Sequence, residues 1–200
     1  MPLPLQLEIG TRTPSQLVKE MEEKGMKVSD YAKEMIKKIK EPKKETVELA
    51  VVKVRDLGFE EIPTTTELFE RAKERGYELC PPIIGLELRL AYEDQPMGDW
   101  FYVGMETITA SDGSPDVFYV DHGEGGLWLS GGWTEPGYRW DLDDAFVFRV
   151  RKSDPSTLRP LNTVGNLDTL KLGHLDSLIK KSEEMRKLSE AAADKAVEKV

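Results

Sequence analysis

Two hundred residues with 39% hydrophobic positions hold enough apolar content for a real core and too much for intrinsic disorder. A lone cysteine, Cys80, excludes an internal disulfide and a cysteine-based zinc site. No apolar run reaches the roughly 20 residues that span a bilayer, and Met-Pro-Leu-Pro-Leu at the start lacks the basic and apolar regions of a signal peptide, so a cytoplasmic setting is expected.

The net charge of −9 is unevenly spread. Residues 1–62 carry 12 basic and 12 acidic side chains, residues 63–150 carry 6 and 17, and residues 151–200 carry 10 and 8. The acidity sits in the middle of the chain, where its field repels phosphate backbones and argues against nucleic acid as a partner.

In chain order, Thr13-Pro14-Ser-Gln16 is a helix start: an N-cap threonine, proline in the first turn and a capping-box glutamine. Leu17, Val18 and Met21 form its apolar stripe and Gly25 ends it. Ser29 caps a second helix, with Val28, Tyr31, Ala32, Met35, Ile36 and Ile39 on one face and Pro42 as its stop. The opposite face carries Lys33, Lys37, Lys38 and Lys40, followed by Lys43 and Lys44. Two helices around a glycine turn suggest a helix-turn-helix, but the turn is long and no Arg or Asn is placed to read bases.

Residues 46–54 are rich in β-branched side chains and read as a strand. Thr64-Thr-Thr-Glu67 is a second capping box, opening a helix with Leu68, Phe69 and Ala72 inward and Gly76 at its end. Cys80-Pro-Pro82 then predicts an extended crossing. Residues 85–150 show short segments separated by turns. Leu86, Leu88 and Leu90 alternate with Glu87 and Arg89, and Phe101, Val103 and Met105 alternate with Trp100, Tyr102 and Gly104. Both patterns have the period of a half-buried strand. Turns at 95–98, 111–114 and 123–126, a bulge or close backbone approach at Gly131-Gly132, and a closing strand Ala145–Val150 complete a meander. One face is aliphatic and Phe-rich; the other collects Trp and Tyr.

The expected fold is α+β: an N-terminal helical pair (1–45), then a sheet domain (46–152) holding a strand-helix unit and an antiparallel meander of five to six strands. A connecting stretch (153–173) and a C-terminal helix (174–200) follow. The last has a narrow apolar stripe suited to docking on the domain or to forming a homodimer.

The segments Val28-Ser-Asp, Leu57-Gly-Phe, Gly76-Tyr-Glu-Leu-Cys-Pro81, Leu88-Arg-Leu-Ala-Tyr, Asp94-Gln-Pro-Met-Gly-Asp-Trp100, Ser111-Asp-Gly, Leu127-Trp-Leu and Phe146-Val-Phe-Arg149 carry a resemblance. Over roughly residues 13–152 the chain resembles a group of short bacterial proteins with no established activity, cofactor or partner. The resemblance implies a discrete domain and assigns no functional residue.

Chemistry is sparse. His122 follows Asp121 beside a glycine-rich turn, and a hydrolase would pair it with Asp112 and Asp116. Cys80 sits among apolar residues without the cationic setting of a nucleophile. The acidic turns 111–116 and 141–144 lack the spacing of a calcium loop, and Gly123–Gly126 precedes a strand, not the helix a phosphate cradle needs. No cofactor or metal is expected. The aromatic loop remains, with Trp133, Tyr138, Arg139 and Trp140 as candidate contacts to a protein partner. The reading is a non-enzymatic binding module; the alternatives are a hydrolase using His122 and nucleic-acid binding through the lysine face of the second helix.

Overall fold

A computed structural model describes residues 6–40 and 42–151. Strand β1 (Gln6–Ile9) leads to helix α1 (Pro14–Glu23), the two-residue strand β2 (Lys27–Val28) and helix α2 (Asp30–Ile36). Strand β3 (Glu45–Lys53) and a 3-10 turn (Val54–Leu57) precede helix α3 (Thr65–Glu74), strand β4 (Tyr77–Glu78) and helix α4 (Ile83–Ala91). Five strands complete the described residues: β5 (Trp100–Val103), β6 (Ile108–Thr109), β7 (Pro115–Gly123), β8 (Gly126–Trp133) and β9 (Ala145–Val150).

The sheet corrects the expected meander. Among the described residues it has nine strands in the order β1-β3-β9-β5-β7-β8-β2, with β4 added on β9 and β6 on β7. It is mixed, because β5 runs parallel to β9 and β2 parallel to β8. The N-terminal helices are built into it: β1 pairs with β3, and β2 sits between α1 and α2 as an edge strand. Strands of two residues carry no periodicity of their own, which is why β2, β4 and β6 escape a pattern search. The C-terminal helix and the stretch 153–173 lie outside the described residues.

The largest correction is the expected strand from Gly85 to Tyr92, whose residues 85–91 lie in helix α4 with Tyr92 as its C-cap. Leu86, Leu88 and Leu90 are all buried, and the polar residues between them are buried too: Glu87 is 2% exposed and Arg89 0%. A helix covered on every side needs no amphipathic stripe. Pro82, the N-cap residue, has φ −55° and ψ −28°, so the Pro-Pro pair starts the helix instead of extending the chain.

The cap signals hold. Thr13 Oγ1 accepts from the Gln16 N–H and Gln16 Oε1 from the Thr13 N–H. Thr64 and Glu67 exchange the same pair of bonds, and Ser29 Oγ accepts from the Ala32 N–H. Helix α2 is shorter than expected, however. Val28 belongs to β2, and Ile39 with the lysines past Ile36 follows the helix.

Two cores flank the sheet. The larger packs α1, α2 and α4 on one face, with Phe118, Val120, Leu129, Phe101 and Val103 beneath them. A Cβ on Gly85 of α4 would lie 2.9 Å from the Phe118 ring, and one on Gly131 of β8 2.9 Å from the Met35 sulfur of α2. Gly131-Gly132 therefore marks close approach and not a bulge, and the β7–β8 register runs unbroken through it. The smaller core lies on the other face, where Leu68 and Ala72 of α3 join Phe146, Phe148, Val52 and Trp140.

Candidate binding surfaces

The loop after β8 folds back as an aromatic column. Trp133 stands edge-on to Tyr138 at 5.4 Å between ring centroids, and Tyr138 edge-on to Trp140 at 4.7 Å. Trp140 meets Tyr102 at 4.7 Å and Phe146 at 4.8 Å, carrying the column into the smaller core. Trp133 is 49% exposed, whereas Trp140 is 1% exposed and its indole N–H donates to Thr65 Oγ1 at 2.9 Å. Trp140 thus braces the loop and does not present itself. Backbone bonds from Trp140 N–H to the Pro63 carbonyl and from Thr65 N–H to the Tyr138 carbonyl fasten the loop to the start of α3. Arg139 is exposed and donates to the Ile62 carbonyl at 3.0 Å, next to the exposed Ile62 side chain. Of the four expected contact residues, three share one rim and the fourth lies beneath it.

The sequence groups Trp100, Tyr102 and Trp128 with the loop in one aromatic cluster, but the structure gives them a second surface of their own. Directly paired residues share a sheet face, and Asp121 pairs with Trp100 of β5 and with Trp128 of β8. In the next row Tyr119 pairs with Tyr102 and Ser130. This is the face opposite α1, α2 and α4, and Trp100, Tyr102, Tyr119, Asp121 and Trp128 are all half-buried on it. Trp100 and Tyr102 lie edge-on at 5.1 Å, Tyr102 and Tyr119 at 5.7 Å, and the Lys27 ammonium sits 5.1 Å from the Trp128 ring centroid. The signal was legible: the short turn 123–126 sets Asp121 opposite Trp128 by counting back from it.

Behind Asp121 lies a buried polar node. Arg89 donates to Gln95 Oε1 and to the Tyr92 and Asp121 carbonyls. Gln95 passes the bonds on to the Asp99 and Val120 carbonyls, and His122 Nδ1 donates to the Gln95 carbonyl. Burial lowers the Arg89 guanidinium to about 10. It raises Asp121 to about 6, against the pull of Arg89 and His122. The node ties the loop 92–99 to the end of β7, a structural task that occupies His122.

The alternative chemistries fare poorly on geometry. Asp116 and His122 lie at opposite ends of β7, about 20 Å apart along a strand. Asp112 and Asp116 are instead joined through the Ser114 hydroxyl. Burial pushes the Cys80 thiol up to about 12, leaving it protonated at neutral pH. A groove of about 240 Å³ between Ile39, Pro42, Pro81, Pro82, Ile83 and Ile108 is lined by no His, Cys or carboxylate. Among the described residues no group of three or more His, Cys, Asp or Glu could hold a metal, and no helix is long and apolar enough to cross a membrane. The lysine face is also dispersed: α2 has seven residues, Lys38 donates to the Thr109 carbonyl and Lys44 pairs with Glu8 at 2.9 Å. Comparison with protein-family profiles, curated proteins and solved structures finds no match.

Proposed function

We propose that this protein is a non-catalytic binding module that docks a protein partner through the rim formed by Trp133, Tyr138, Arg139 and Ile62. One observation carries the reading: the half-exposed Trp133 indole is held edge-on by Tyr138, whose own ring rests on the buried Trp140. An exposed aromatic anchor fixed in advance loses little conformational entropy on binding, and Trp, Tyr and Arg are the side chains that dominate interface energetics. Arg139 supplies a charge-assisted donor beside an apolar patch. The partner that fits has an apolar pocket for the indole and an acidic group at its edge.

The test is affinity capture from lysate of the native source with the full chain, quantified by mass spectrometry. A protein enriched by the wild type, lost with Trp133→Ala and with Arg139→Ala, and retained with Trp128→Ala is the expected result. Enrichment indifferent to Trp133 and Arg139 sinks the proposal.

A further inference from the structure

The row Trp100–Asp121–Trp128 is not used by the rim proposed above and has the composition of a small-ligand site. The three side chains project from adjacent strands onto one half-open face, with the backbones of Trp100 and Trp128 two strand spacings apart, about 10 Å. Asp121 Oδ1 is turned inward and accepts no hydrogen bond. The carboxyl's other oxygen is not enclosed in this way, and it is the acceptor that the half-buried Asp121 offers on the open side. Tyr119 extends the platform along the strands, with Ser130 paired to it at its floor and Tyr102 beside it rooted in the smaller core.

Charge narrows the ligand class. Arg89 and His122 already act on the Asp121 carboxylate, and Lys27 already stands over Trp128. A further cation meets three positive or proton-bearing groups. An anion meets Asp121 and the excess of acidic residues in 63–150. What remains is a neutral molecule with hydroxyl donors and flat, weakly apolar faces. Side-by-side rings on an open sheet make platforms and not a slot, which suits a chain lying across the strands better than a single planar base. We propose that this face binds a linear neutral oligosaccharide, with Trp100 and Trp128 stacking against the C–H faces of two pyranose rings and Asp121 accepting hydroxyl hydrogen bonds between them.

The experiment is a titration of the full chain, by intrinsic fluorescence and calorimetry, with cellotetraose, xylotetraose, chitotetraose and maltotetraose. The expected result is saturable binding of at least one, weakened about tenfold or more by Trp100→Ala and by Trp128→Ala, several-fold by Asp121→Asn, and unchanged by Trp133→Ala. Circular dichroism checks folding. Should an alanine variant misfold, Trp128→Phe and protection of wild-type tryptophan emission from acrylamide by the saccharide replace it. The inference is overturned if none of the four saccharides binds at millimolar concentration, if affinity is indifferent to both indoles, or if adenosine or N-acetyl-lysine amide competes as well as the saccharides. Because Trp133→Ala serves as the silent control, failure here leaves the protein-docking rim untouched, and the reverse also holds.

Discussion

Around β5, β7 and β8 the two faces of the sheet are built by the same strands and do opposite things, the smaller core of Phe146, Phe148 and Trp140 covering the second face only nearer β9 and α3. On one face, Phe118 and Val120 of β7 disappear under α4, together with Phe101, Val103 and Leu129 from the neighbouring strands. On the other, Tyr119 and Asp121, one residue along, stay half-open with Trp100, Tyr102 and Trp128. The closed face is filled with aliphatic side chains and phenylalanine, which have no polar atom to satisfy. The open one uses rings that carry an N–H or O–H and tolerate water at one edge. The difference teaches where stability ends and recognition begins, and within β7 that boundary falls between consecutive residues.

The sharpest way to break the comparison is to truncate neighbours on opposite faces. Phe118→Ala removes a fully buried ring and should cost about 3–5 kcal/mol in denaturant unfolding. Tyr119→Ala, on the half-open side, should cost about 1 kcal/mol or less. Equal losses would mean that both faces of β7 are core.

Next in size is Arg89→Leu. The guanidinium is completely buried and feeds Gln95 and two carbonyls, so its removal strands acceptors in the interior. A loss of about 2–4 kcal/mol is expected, with faster amide exchange in residues 92–99. Trp140→Phe should lose about 1–2 kcal/mol, from the hydrogen bond to Thr65 and the missing ring volume. Trp133→Ala should stay within about 0.5 kcal/mol of wild type, as befits an exposed side chain.

A smaller effect sharpens the contrast electrostatically. Burial holds the folded-state pKa of Asp121 at about 6, above the roughly 3.9 of an unfolded aspartate. Between those values the folded chain binds a proton that the unfolded chain does not, so this group's contribution to stability falls as pH rises through that window. Asp121→Asn lacks the contribution. The difference between wild type and variant in unfolding free energy should therefore slope between about pH 4 and 6 and be flat at pH 7 to 8. A flat difference throughout would place Asp121 in water.

Much of this arrangement is legible in the chain. The caps at Thr13, Ser29 and Thr64 announce their helices because a hydroxyl ahead of an apolar stripe, joined at Thr13 and Thr64 by glutamine or glutamate three residues on, has few other uses. The inward and outward sides of β5 follow from its alternation. The same alternation misleads at α4, where Leu-Glu-Leu-Arg-Leu has a strand's period only because the helix is buried all round and its charged residues find partners inside, Glu87 with Arg12 and Arg89 with Gln95. Those partners lie 75 and 6 residues away, and a local pattern carries no information about a contact as distant as the first. The parallel pairings β5–β9 and β2–β8 have the same cause: nonlocal geometry joins segments that look unrelated in sequence. At the candidate rim, the chain identifies Trp133, Tyr138 and Arg139 by composition, but the burial of Trp140 depends on α3 docking against the loop.

The most direct test of the two-faced account is fluorine NMR of the full chain labelled with 5-fluorotryptophan, with each resonance assigned by a Trp→Phe variant and a soluble paramagnetic agent added. Broadening should be strongest for Trp133, intermediate for Trp100 and Trp128, and minimal for Trp140, following their exposure. A Trp140 signal that broadens like that of Trp133, or Trp100 and Trp128 signals as protected as that of Trp140, would contradict it.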